Sequence, residues 1–100
     1  LQHGGNPFSL LGLLSRNYSQ LLTIRTLQER GLSPAAIREK TGMQEWLFQK
    51  LVRSVGHATS RKLSMALKKI LTADSRLKNT SLFPVDILGS LVQDLVAIHG

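Results

Sequence analysis

Apolar residues recur along this chain at spacings of three and four, with no stretch of the strict alternation that marks a half-buried strand. That period commits the chain to helices. From Phe8 to Arg30 the series Leu10, Leu14, Tyr18, Leu21, Ile24 and Leu27 lays a stripe along one long helix, and Gly31 supplies the left-handed residue that closes it. Ser33-Pro34 follows as an N-cap with proline at the first helical position, and Gly42 ends this second, short helix. Gln44 to Ser54 predicts a third helix, stopped near Gly56. Thr59 caps a fourth, which carries Leu63, Ala66, Leu67, Ile70, Leu71 and Leu77. Asn79-Thr80-Ser81 breaks it, and Pro84 opens a last helix with Ile87, Leu88, Leu91, Val92, Leu95 and Val96. The expectation is an all-α fold, a single compact bundle of about five helices joined by short turns.

A chain of 100 residues, 42% of them hydrophobic, is enough for one core and leaves little room for a second domain. It opens on Leu1, and Gln2-His3-Gly4-Gly5-Asn6-Pro7 reads as a linker. Residues 1–6 are therefore expected to join a preceding domain, and residues 7–100 to form the helical unit. There is no cysteine, which excludes a disulfide framework and cysteine-ligated zinc and fits a cytoplasmic setting. No apolar run approaches the ~20 residues that cross a bilayer, and the leucine-rich start has no charged region before it, so neither a membrane span nor a signal peptide is expected.

Two features exceed what core building needs. The first and last helices carry apolar arcs wider than the ~100° stripe of a simple surface helix. Leu10, Leu11, Leu13, Leu14, Leu21, Leu22, Ile24 and Leu27 sweep more than half the circumference, and Val85, Leu88, Leu91, Val92, Leu95 and Val96 nearly as much. Either these helices lie centrally in the bundle or one side of each is covered by another subunit; in so small a bundle few helices are surrounded, which favours the second. Leu14, Leu21, Leu91 and Leu95 are the expected contact residues, with Trp46 as a further aromatic anchor unless it folds back over a neighbouring helix. The second feature is Asp74, set in the apolar stripe of the fourth helix. A carboxylate facing a core needs a cation, and either Arg25 or Lys78 can supply it and fix how the first and fourth helices pack, the alternative being an exposed pair on the fourth helix.

Thirteen Lys and Arg against six Asp and Glu give a formal charge of +7. Such a balance favours an acidic partner, nucleic acid or another subunit's acidic surface. Arg61, Lys62, Lys68 and Lys69 concentrate that charge on the fourth helix and make it the expected region of DNA proximity. Arg61 and Lys62 stand in the first helical turn, where the macrodipole disfavours cations.

The segment Leu32 to Val55 is spaced like a helix-turn-helix, which gives a rival reading as the DNA-binding domain of a transcription regulator. Its second helix argues against base reading. Leu47, Phe48, Leu51, Val52 and Val55 take one side, and the start offers Gln44, Glu45 and Trp46 where Arg, Lys, Asn or Gln would read bases. Signatures of catalysis are missing as well. His3, His57 and His99 have no metal-ligand spacing, no GxxxxGK[ST] loop is present, and no serine sits in a nucleophile elbow. No catalytic residue, metal or cofactor is expected.

The run Leu10-Leu11-x-Leu13-Leu14-x-Arg16-x-Tyr18, then Gly31-Leu32-Ser33-Pro34-x-x-Ile37, then Gly42-Met43, resembles the C-terminal collar domain of the delta subunit of the bacterial DNA polymerase III clamp loader. So does Ala66-Leu67-x-x-x-Leu71-x-x-Asp74-x-x-x-Lys78, and the resemblance extends from Pro7 to Val96. It implies a bacterial, cytoplasmic, non-catalytic domain of a DNA-directed DNA polymerase holoenzyme. Five such domains form a circular collar in that family, holding together the pentamer that places the sliding clamp on DNA. The clamp-opening element belongs to an N-terminal domain absent from this sequence. Two positions depart from the family pattern: Phe83 stands where an Asp often precedes the proline, and Arg61 and Lys62 occupy a turn that is often acidic.

Overall fold

A computed structural model describes residues 7–79 and 84–100, the side chains of residues 7 and 8 excepted. The expected linker at 1–6, His3, and the residues Thr80, Ser81 and Phe83 lie outside the described residues. Among the described residues there are five helices and no strand: α1 (Pro7–Glu29), α2 (Pro34–Thr41), α3 (Glu45–Val55), α4 (Ser60–Asn79) and α5 (Pro84–His99).

Local chemistry sets the boundaries. Gly31, at φ 87°, ends α1 in a Schellman turn, with Leu32 N–H donating to the Leu27 carbonyl and Gly31 N–H to that of Gln28. The Ser33 hydroxyl accepts from Ala36 N–H at 3.2 Å, and Pro34 follows as the first residue of α2. Gly42, at φ 71°, closes that helix by donating to the Arg38 carbonyl. The Thr59 hydroxyl accepts from Lys62 N–H at 3.1 Å and so caps α4. At α3, by contrast, Gln44 holds the cap position without a side-chain capping bond.

Two apolar cores share the molecule. Leu11 of α1 meets Ile70 and Ala73 of α4 and Ile87 and Leu91 of α5 in one. Ile24 and Leu27, further along α1, meet Ile37 of α2 and Phe48, Leu51 and Val55 of α3 in the other. α4 runs antiparallel to α1, since its first residue Ser60 bonds Glu29 near the end of α1 while Ile70 and Ala73 reach back to Leu11. α5 returns along α4 and lies parallel to α1, so that the Tyr18 hydroxyl meets His99 Nε2 at 3.0 Å. The result is a three-helix bundle with the α2–α3 hairpin packed on the C-terminal half of α1. It measures 46 × 29 × 20 Å, and its radius of gyration is 15.0 Å, above the ~13 Å of a compact 100-residue domain.

Candidate subunit interface

The last helix turns its faces apart cleanly. Ile87 and Leu91 enter the core, while Val85, Val92 and Val96 stand outward at 73%, 58% and 63% exposure. Leu88 and Leu95 lie half-buried between the two. Val85 and Val92 are seven residues apart, as are Leu88 and Leu95, the spacing that keeps one seam of a helix toward a partner. On α1, Leu10 and Leu13 are exposed in the half that α2 and α3 do not cover.

The expected contact residues fall into three groups. Leu14, Leu21 and Leu95 are half-buried at the margins of the cores, where a second surface could complete their burial. Leu14 and Leu21 also line a groove of about 220 Å³ with Leu47 and Leu51 of α3. Leu91 differs: at 4% exposure it is part of this chain's own core, and its neighbour Val92 takes the outward place. The reason is the phase of α5, which presents Ile87 and Leu91 to α4 and α1. Trp46 is 64% exposed and does not fold back on a neighbouring helix; its indole N–H donates to the Gln44 side-chain oxygen.

Of the two cations offered to Asp74, the geometry uses Lys78, whose ammonium lies 2.8 Å from the carboxylate one helical turn away. Arg25 does other work. Its guanidinium donates to the carbonyls of Ala58 at 2.8 Å and Gly56 at 2.6 Å, fastening the α3–α4 corner to α1. Glu29 fastens the same corner from one turn further on, accepting from the Ser60 hydroxyl at 2.6 Å and from its backbone N–H at 3.2 Å. Those two hydrogen bonds, the hydroxyl's first, hold the Glu29 carboxyl below its ordinary range, and the nearby Arg25 charge adds to them. Burial pushes the Tyr18 phenol up.

Arg61, Lys62, Lys68 and Lys69 are all exposed on α4, and Arg76 joins them. Arg61 and Lys68 stand seven residues apart, and so do Lys62, Lys69 and Arg76, which aligns them on one side of the helix at steps of ~10.5 Å. Among the described residues the salt bridges join Arg38 to Glu45 and Lys78 to Asp74, so none of these five cations is paired. The seven-residue spacing was the signal that could have added Arg76 from the sequence.

The α2–α3 hairpin has the outline of a helix-turn-helix. Its second helix buries Phe48, Leu51 and Val55, and its start keeps Glu45 paired with Arg38 at 3.4 Å. A carboxylate there repels phosphate. No helix of the described residues is long and apolar enough to cross a membrane.

A family model described as the C-terminal domain of the DNA polymerase III delta subunit matches residues 1–93. No curated protein and no solved structure matches the chain.

Proposed function

The chain belongs to the family of C-terminal domains of the DNA polymerase III delta subunit, and from that premise we propose that it is a non-catalytic assembly domain of the clamp loader. Its task in this reading is to bury the outward apolar rows of α5 and the start of α1 against the equivalent domains of other loader subunits. The pentamer so held would place the sliding clamp on DNA in the bacterial cytoplasm, with the clamp engaged by a separate N-terminal domain. ATP-driven changes in neighbouring subunits would reach that domain through this one.

One observation carries the reading: the exposed, heptad-spaced row on α5. Fully burying a valine side chain is worth roughly 1.5–3 kcal/mol, and on this helix three valines face away from the core that would bury them. The family assignment supports a clamp-loader role in general, and the apolar row supports α5 as the surface that would perform it. Leu14 and Leu95 pack beside the core from which that surface turns away, Leu21 adds a half-buried contact in the groove toward α3, and Trp46 offers a separate anchor at the tip of the hairpin. The unpaired cations of α4 lie on a different helix and suit phosphates passing the loader, a contact that would be independent of base sequence.

Size-exclusion chromatography with light scattering, on this chain alone and mixed with the collar domains of its loader partners, tests the proposal. A mixed complex is expected, weakened at least about thirty-fold by Val92→Asp with Val96→Asp. Absence of any mixed complex, together with nanomolar binding of one DNA sequence, would sink it in favour of the regulator reading.

A further inference from the structure

The outer surface of α4 is not uniform. Leu71 stands exposed midway along it, and near its start it borders a groove of about 560 Å³ between α4 and the end of α5, lined by Thr59, Arg61, Lys62, Met65, Ala97 and Ile98. The volume falls within the range that takes a small ligand or a few peptide side chains. Most of the lining is apolar: Met65, 44% exposed, forms the floor with Ala97 and Ile98. Methionine is flexible and polarisable, and adapts to irregular apolar shapes. The Thr59 hydroxyl is already engaged in capping, so the ionic chemistry of the groove rests with Arg61 and Lys62. No carboxylate lines it.

That pairing of an apolar floor with an uncompensated cationic rim selects the occupant. A nucleic-acid strand would find phosphate partners but no aromatic ring on which to stack a base. A second copy of the chain, itself at formal charge +7, would bring more cations than carboxylates to the rim. We propose that the groove docks an acidic segment of a partner protein, one bulky apolar side chain seated on Met65, Ala97 and Ile98 and flanking carboxylates on Arg61 and Lys62. Charge complementarity carries the choice of partner, and apolar volume the choice of anchor. The site is separate from the apolar row of α5, so it stands or falls independently of the assembly reading; it takes Arg61 and Lys62 for carboxylates and leaves Lys68, Lys69 and Arg76 for phosphates.

The test is fluorescence anisotropy of the chain with a labelled hexapeptide of four aspartates followed by leucine and phenylalanine. The control peptide has serines in the last two places. The expected result is a Kd of roughly 10–100 µM for the first peptide and at least tenfold weaker binding of the control. Met65→Gln, a neutral change at a solvent-facing position, and Lys62→Glu should each weaken binding fivefold or more, while Lys69→Glu, two turns further along the same side, changes it less than threefold. Melting curves confirm that each variant is folded. Four results would overturn the proposal: no binding of the first peptide; equal binding of both peptides; loss with Lys69→Glu equal to that with Lys62→Glu, alongside competition by oligothymidine at micromolar concentration, which would mark a generic polyanion strip; or concentration-dependent dimerisation abolished by Met65→Gln, which would give the groove to a second copy.

Discussion

Arg25 and Glu29 stand one turn apart on α1, and both reach across to the segment that joins α3 to α4. Arg25 satisfies two carbonyls of the connecting segment, those of Gly56 and Ala58, and Glu29 satisfies the first N–H of α4. Backbone groups at helix ends have no partner within the helix, so each such bond removes a donor or acceptor that would otherwise need water. Glu29 also makes stability depend on pH. Its folded-state pKa is lowered, so its contribution is complete above the ordinary glutamate range and fades as the pH falls through the folded value. Glu29→Gln should therefore reduce the loss of melting temperature on acidification while leaving the neutral-pH fold in place, as thermal denaturation across a pH series would register. An unchanged pH profile would mean that the bond is absent in solution. None of this could be read from the sequence, because partners 31 and 33 residues apart carry no local signature.

At the scale of elements, what was legible is what neighbouring residues decide. Ser33-Pro34, Gly42 and Thr59 mark helix ends by chemistry confined to a few positions, and the boundaries fall within a residue or so of where they were expected. The spacing offered Lys78 to Asp74 alongside Arg25, and the pair that forms lies within α4 and does not tie it to α1. The inward direction of a helix was not legible wherever apolar residues cover most of it. On α5 the arc from Val85 to Val96 leaves open whether Leu91 or Val92 faces the core, and only packing against α4 and α1 resolves it. On α1 the difficulty has a structural cause. Advancing ~100° per residue, Ile24 and Leu27 lie on nearly the opposite side from Leu11, because the two halves of the helix serve different cores. Part of the wide arc of α1 is thus core, through Leu11, Ile24 and Leu27, while Leu14, Leu21 and Leu22 are half-buried and Leu10 and Leu13 exposed. A paired substitution separates core from surface on α5. Leu91→Ala should cost about 2–5 kcal/mol of stability and Val92→Ala no more than about 0.5 kcal/mol, measured by urea denaturation. Equal costs would show that the phase of the helix is different.

For the whole molecule, outward apolar rows run on α1 and α5, while α4 carries a strip of unpaired cations beside its own exposed Met65 and Leu71. The interior is divided, yet α1 belongs to both cores. Ile24→Ala in one and Ile70→Ala in the other should each lower stability by about 2–5 kcal/mol and shift a single transition. Far-UV circular dichroism and amide signals from α3 and α5 would then melt together. Separate transitions would mean that the hairpin unfolds on its own.

The shared helix has a mechanical side. At 23 residues α1 is ~35 Å long, most of the 46 Å length of the molecule, and it is clamped near both ends by packed side chains. It is a lever arm with a grip at each end. If one grip turns by about 10°, the other is displaced by roughly 6 Å over that length, so a small rotation where α5 meets its neighbours becomes a visible stroke at the tip of the hairpin that carries Trp46.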